Sequence, residues 1–529
     1  MKTKLIVAFF LISSFIYAQN PIDNYLFGNY ALTVIGDFDD GVDKPRDLDF
    51  HPTIDNQLWV LNQGEDTYVN NTQYITNVCV PENADLTFTI YDSYGDGICC
   101  ESGNGSYEVS ACEFIYASGG DFESSEVTSF IVNNICDNSC PANQVELEII
   151  INTDGWAKET SWILMDTYSE LIYAKRLEAG GSTVIYFNAG LEDQTSEYRK
   201  DSYSRHFMHT ASSLAFDNQG FFANTLECQD ANNNIDGFFS GPTLWDSDLS
   251  IYAVANQESG GLLGSHLDMI HQSPYSMGIE YAGSGNIYWV FDGFHSSIVR
   301  YDFATPHEVG GHDHSDGKVW RYDEVDISRQ EGVPSHMILD DNTGLLYICD
   351  TGNQRILKFN ANSGNFDYEL NPYGESLEEY WMMANADWEV YINEGLDKPS
   401  GIDLYEDRLV VSDYASGDII IYDISTNIPY ELGRIYTGYE NKIMGIKIGP
   451  NQKIWYVNYE DDEVIRIDYD MAIGDINNDG NINIIDIVTL VDYILNPIGS
   501  EIEQEGDINN DGIINIVDVV QLVNYILNP

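Results

Sequence analysis

Apolar and polar positions alternate in short bursts along most of this chain, and the stretch from Pro334 to Phe359 sets the pattern. Met337–Leu339, Leu345–Ile348 and Ile356–Phe359 are short apolar runs rich in Ile, Leu and Tyr. Asp341–Gly344 and Thr351-Gly-Asn353 separate them and carry turn chemistry. Such runs predict antiparallel strands joined by tight turns. One meander of this size cannot bury its own faces, so it needs copies of itself.

The copies are present. Pro45–Phe50 with Leu58–Leu61 is the first, Ala211–Phe216 with Phe221–Ala223 the second, and Ser276–Tyr281 with Ile287–Phe291 the third. The opening stretch is the fourth. Ser400–Leu404 with Leu409–Ser412 and Ile419–Tyr422 follows, then Ile443–Ile448 with Ile454–Val457 and Val464–Ile467. From the second copy onward the starts lie about 43 to 65 residues apart, a spacing suited to propeller blades. The first gap is about 166 residues, so roughly 120 remain beyond one blade, enough for an inserted domain.

That insertion, residues 66–181, differs in character. It holds Asp92-Ser-Tyr-Gly-Asp-Gly-Ile-Cys-Cys100 and Thr153-Asp-Gly-Trp-Ala-Lys-Glu-Thr-Ser-Trp162. The alternating runs Leu86–Tyr91 and Val145–Ile151 predict strands of a small sandwich. Six of the eight cysteines fall here: Cys79, Cys99, Cys100, Cys112, Cys136 and Cys140. In an exported chain they read as a disulfide framework of open connectivity, with a metal site as the rival. Both strings resemble those of small acidic modules in multidomain secreted proteins, and Asp92 and Asp96 are either calcium ligands or turn formers.

Composition narrows the setting. The chain of 529 residues carries 86 Asp and Glu against 23 Lys and Arg, a formal net charge of -63. A surface this negative repels nucleic acid and anionic lipid, so neither is an expected partner. Lys2 and Lys4 precede an apolar run from Leu5 to Tyr17, with a small-residue cleavage site at Ala18-Gln19. Residues 1–18 therefore read as a signal peptide, and the mature protein is expected to be secreted, extracellular or attached to a cell surface without membrane insertion.

With the repeats in view, Asp350-Thr-Gly-Asn-Gln-Arg-Ile-Leu-Lys-Phe359 resembles the signature turn and outer strand of NHL repeats. That resemblance implies a six-bladed β-propeller over residues 19–65 and 182–471. The expected fold class is mainly β: the propeller, an inserted disulfide-rich β-sandwich-like module, and the small helical tail described below. Loops at a propeller's mouths form its binding surface.

Nine of the ten histidines lie between His206 and His336. The candidates for chemistry are His266 and His271 in one string, His312 and His314 in another, and His336 at the start of the fourth copy. Imidazole with carboxylate suits zinc or another borderline divalent ion. The resemblance adds metal-dependent lyases and lactonases; in the amidating lyases a His precedes blade strands, a feature matched here at His336 only. The competing reading is that these histidines satisfy loop hydrogen bonds. No Ser-centred nucleophile elbow, H-E-x-x-H or phosphate-cradling loop is present.

The C-terminus carries the most specific pattern. Gly474-Asp-Ile-Asn-Asn-Asp-Gly-Asn-Ile-Asn-Ile-Ile-Asp486 recurs as Gly506-Asp-Ile-Asn-Asn-Asp-Gly-Ile-Ile-Asn-Ile-Val-Asp518, and each runs into an apolar helix. Asp475, Asn477, Asp479, Asn481, Asn483 and Asp486 place oxygens as a calcium loop requires, with Asn481 acting through its carbonyl. Asp507, Asn509, Asp511, Ile513 (through its carbonyl), Asn515 and Asp518 repeat the set. Two calcium ions are thus expected, with folding of the tail coupled to them. The terminal Asp and the absent leading helix make residues 474–529 resemble a dockerin module. By that resemblance the tail plugs into a cohesin-like module, often alongside polysaccharide breakdown. The usual contact positions are here Ile484-Ile485 and Ile516-Val517, which either meet the partner or pack between the two helices.

Two functions follow. One is a secreted, calcium-binding recognition platform for a polysaccharide or cell-surface ligand. The other is a metal-dependent propeller enzyme, using zinc or calcium as a lyase, lactonase or carbohydrate-active hydrolase.

Overall fold

The computed structural model describes residues 20–527 apart from 28–29, 66–70, 93–94, 101–102, 112–113, 134–139, 156, 158–159, 170, 177–178, 235, 259–260, 470–473, 478–481, 496–505 and 510–512. Each apolar run that opens a repeat becomes the first strand of an antiparallel meander, because alternate residues must be buried on both faces. These first strands are Pro45–Phe50, Ala211–Phe216, Ser276–Tyr281, Met337–Asp340, Pro399–Tyr405 and Ile443–Ile448. Each packs on the first strand of the following sheet, and the last packs on the first, so the sheets close into a ring. The chain is a β-propeller. Close approach at the inner strands requires glycine: a Cβ on Gly278 would overlap the Ser335 carbonyl oxygen, and one on Gly401 the Met444 carbonyl oxygen.

Ring closure joins the two ends of the propeller. Tyr30–Gly36 is the outermost strand of the sixth sheet, antiparallel to Glu463–Tyr469, with Tyr30 opposite Tyr469 and Leu32 opposite Ile467. Just before it, Ile22 and Tyr25 are buried against the fifth and sixth sheets. There Arg408 clasps the Asp23 carboxylate through Nε and Nη2 at 2.6 and 2.9 Å. A bidentate guanidinium–carboxylate pair fixes orientation as well as charge.

The third sheet is longer than its neighbours. A hairpin of Asn365–Glu369 and Glu379–Ala384 leaves the fourth repeat and crosses to it. Glu379–Ala384 runs parallel to Lys318–Tyr322, with Trp320 opposite Trp381.

Between Leu58–Glu65 and Gly180–Phe187 the chain leaves the ring and builds two further antiparallel sheets of four strands. Along Gln144–Asn152, Val145, Leu147, Ile149 and Ile151 point inward and meet Leu86, Phe88, Trp162 and Leu164 of the opposing sheet. Each such side chain contributes roughly 1.5–3 kcal/mol when fully buried, which gives this sandwich a core of its own. Cys79 is bonded to Cys140, and Cys99 to Cys100; Cys112 and Cys136 lie outside the described residues. The Asp92 carboxylate accepts the Asp96 N–H at 2.9 Å, the contact of a turn former. Cys228 and Cys349 belong to neither of these disulfides, and both are buried.

After the propeller come two helices, Ile484–Leu495 and Ile516–Leu527, packed through Leu490, Val519 and Leu522 with Ile476 of the first loop. No described helix is long and apolar enough to cross a membrane.

Candidate functional site

The two C-terminal loops are built alike. Asp486 and Asp518 are fully buried at the starts of their helices. Asp486 Oδ1 accepts the N–H groups of Ile476 and Asn477 at 2.8 and 3.1 Å, and Oδ2 accepts that of Asn483 at 2.7 Å. Asp518 repeats this with Asn509 N–H at 3.2 Å and Asn515 N–H at 2.8 Å. Each carboxylate thus folds its own loop back onto the helix it begins. Asn483 and Asn515 are the N-caps: Asn483 Oδ1 accepts the Ile485 N–H at 2.9 Å, and Asn515 Oδ1 the Val517 N–H at 2.8 Å. A side-chain acceptor there satisfies an orphan donor of the first turn.

The donor set is all oxygen, as a hard cation requires. Carboxylate oxygens keep lone pairs beyond those used by the backbone. Asp475, Asn477, Asn483, Asp507, Asn509, Ile513 and Asn515 stand in the loops with the two aspartates, while Asp479, Asn481 and Asp511 lie outside the described residues.

Ile484, Ile485, Ile516 and Val517 do not pack between the helices. Ile484 is 70% exposed and Ile516 63%. The helical period explains this: Ile487, Leu490, Val491 and Ile494 form the inward stripe of the first helix, and Ile484, Ile485 and Val488 fall off it. With Val520 and Tyr525, also exposed, they leave each helix an apolar outer side.

A second site lies in the propeller, where the structure gathers His206, His266, His271, His307 and His314. His266 opens the outer strand His266–Met269 of the second sheet, and His307 and His314 sit in the loop before Lys318–Tyr322 of the third. Their rings form a chain, with centroids 5.5 Å apart for His206–His271, 5.7 Å for His271–His314, 5.5 Å for His307–His314 and 4.9 Å for His266–His307. Phe239 stacks on His271 at 3.5 Å and Phe207 on His266 at 3.7 Å.

Burial keeps these rings neutral: it pushes His266 down to about 2 and His206 down to about 3, helped by neighbouring histidines. His271 is also pushed down by burial, against the pull of Glu375. His206 Nδ1 faces the Ala231 carbonyl at 3.3 Å, and its Nε2 lies 3.3 Å from His271 Nε2. On its other side His271 Nδ1 faces Glu375 Oε2 at 2.9 Å. His314 differs: the Asp268 carboxylate, 2.8 Å from its Nδ1, raises it in spite of burial.

His312 is outside this group, exposed and bonded through Nε2 to the Gly261 carbonyl at 2.9 Å. His336 is elsewhere again, buried beside Asp47 with Nδ1 to Oδ1 at 3.5 Å. It borders a set of carboxylates on the innermost strands, Asp49, Glu280 and Asp403, with Lys447 as their shared counter-charge. Asp49 Oδ2 accepts the Phe216 N–H, Glu280 Oε1 that of Leu339, and Asp403 Oδ2 that of Ile448. Each acceptor ties its own first strand to that of the next sheet. Burial, with Asp49 and Asp403 nearby, pushes Glu280 up to about 8.

Residues 473–527 match the dockerin type I domain family. No curated protein sequence matches the chain. Among solved structures, an auxiliary nutrient binding protein from Bacteroides ovatus aligns over 78% of this chain and 99% of its own at 9% identity, TM-score 0.32. The periplasmic gluconolactonase of Pseudomonas aeruginosa aligns over 54% and 87% at 10% identity, TM-score 0.31. The calcium-binding protein regucalcin from Agrobacterium tumefaciens aligns over 55% and 85% at 12% identity, TM-score 0.31. Likenesses this faint carry no conclusion about activity.

Proposed function

We propose that this chain, a β-propeller carrying a C-terminal dockerin type I domain, is an exported component held at a cell surface or in an extracellular assembly by a cohesin-type partner. The tail, residues 474–529, binds two calcium ions and presents the apolar sides of its two helices to that partner. The observation that carries this is the exposure of Ile484, Ile485, Ile516 and Val517 directly after the two loops. An apolar face of this kind marks an interaction site. Residues 1–18 act as the signal peptide. Residues 19–65 and 182–471 form a six-bladed recognition platform for a polysaccharide or cell-surface ligand, and residues 66–181 are an independent sandwich module set into it.

Calcium titration of the chelator-treated full chain by calorimetry tests the tail. Two equivalents are expected, and fewer in Asp486→Ala and in Asp518→Ala. Binding unchanged in both variants would remove the basis of the reading. One observation favours a second function, a metal-dependent lyase, lactonase or hydrolase: buried histidines converge with Asp268 and Glu375 in the propeller.

A further inference from the structure

We infer that Asp268, His307 and His314 form a binding site for one borderline divalent cation, zinc in the first instance, between the second and third sheets of the propeller. Each residue offers one ligand atom, and the three atoms lie within 4.8 Å of one another. A tetrahedral zinc with ligands near 2.0–2.1 Å holds neighbouring donors roughly 3.3 Å apart. A loop movement on the order of 1 Å therefore closes the site, and two of its three ligands sit on one loop.

Two atoms of this trio are otherwise unexplained. His307 Nδ1 donates to the Glu308 carbonyl at 2.7 Å, which fixes the tautomer and leaves Nε2 as a bare lone pair. That Nε2 is buried and has no hydrogen-bond partner among the described residues. Asp268 Oδ2 is also buried without a partner there, on a side chain with no exposure. Buried acceptors left unsatisfied are costly, and a cation between them satisfies both. A ligand histidine whose other nitrogen is held by a carbonyl is the arrangement metal sites use to orient the ring.

The third ligand is His314 Nδ1, now facing Asp268 Oδ1 at 2.8 Å. Coordination through Nδ1 displaces the proton held there, to Nε2 of the same ring or to solvent. His266 and His271 form the surrounding wall: their rings pack on His307 and His314, while their Nδ1 atoms are engaged by the Leu263 carbonyl and Glu375. Three protein ligands leave the fourth position of a zinc ion to water. Nitrogen-rich ligation separates this site from the all-oxygen calcium loops of the tail, and the inference holds whether or not the tail captures a partner.

The test uses the full chain, stripped by chelation, resupplied with calcium, equilibrated with Zn2+ and desalted before the metal is counted. Co2+ loading in parallel reads geometry through its visible absorption. Residues 474–529 contain no His or Cys, so a tetrahedral cobalt spectrum does not come from the tail, and its loss in the His307 and His314 variants assigns it to this site. About one zinc per chain is expected, with affinity lowered at least ~10-fold in His307→Ala and in His314→Ala and unchanged in His312→Ala. His307→Gln, which keeps the side chain's bulk, gives the same loss if the alanine variant folds poorly. Zinc absent from the desalted wild type would overturn the inference, as would retention in the His307 variants equal to that of the wild type.

Discussion

Replacing Asp486 by Ala isolates what a single buried carboxylate does for the tail. The side chain accepts three backbone N–H groups, those of Ile476, Asn477 and Asn483. Hydrogen bonds to a charged group contribute roughly 1.5–3 kcal/mol each. Ile476 is buried, whereas Asn477 and Asn483 are partly exposed and regain water, so a net cost of about 3–5 kcal/mol is expected. A domain the size of residues 473–527 has a total stability of roughly 3–8 kcal/mol. The loss is therefore comparable to the whole, although the helix contacts of Leu490, Val519 and Leu522 are untouched. Asp486→Asn retains one acceptor oxygen and should lose less. Amide hydrogen exchange in saturating calcium reads the three donors directly. If Ile476, Asn477 and Asn483 amides in Asp486→Ala stay as protected as in the wild type, the loop is not held together by this carboxylate.

Other outcomes follow from the propeller. Lys447→Met leaves Asp49 and Asp403 without their counter-charge and should cost about 3–5 kcal/mol in denaturant unfolding; a change below about 1 kcal/mol would show the carboxylates to be neutralised otherwise. Glu280 holds its proton up to about 8 in the folded chain against an ordinary 4.5. Between those pH values the folded state binds more protons than the unfolded one, so stability falls as pH rises; Glu280→Gln should flatten that decline, and an unchanged pH profile would contradict the burial. Deleting residues 20–36 removes the strand paired with Glu463–Tyr469 and should abolish the cooperative unfolding transition of the ring, which a calorimetric scan would detect.

Local chemistry made much of this legible in the sequence. The Asn-Thr-Gly and Thr-Gly-Asn turns beside Leu345–Asp350 need no distant partner to be recognised, and the runs starting at Pro45, Ala211, Ser276 and Ile443 begin strands at those very residues. Pairings set by long-range contact were not legible. Tyr30–Gly36 finds its partner more than four hundred residues away, and the Asn365–Glu369 hairpin leaves its own repeat for the sheet before it.

The histidine site falls between these cases. His266, His271 and His314 stood out by residue type, but Glu375, more than a hundred residues from His271 in sequence, had no local signal. His307 lies five residues before His312 in the chain, and only the fold distinguishes it from that exposed neighbour. In the tail the period of the helices decides a point that residue type left open. Ile484 and Leu490 are equally apolar, but only Leu490 falls on the inward stripe.

The measurement that bears most directly on the docking function is capture of the full chain by immobilised cohesin modules in calcium, in chelator, and after Ile484→Asp with Ile516→Asp. Both substitutions lie at exposed positions and should leave the helical content of the tail intact. The expected result is capture in calcium alone, abolished by the chelator and by the double variant. Capture that persists in chelator, or that survives loss of both isoleucines, would contradict a calcium-dependent apolar docking face.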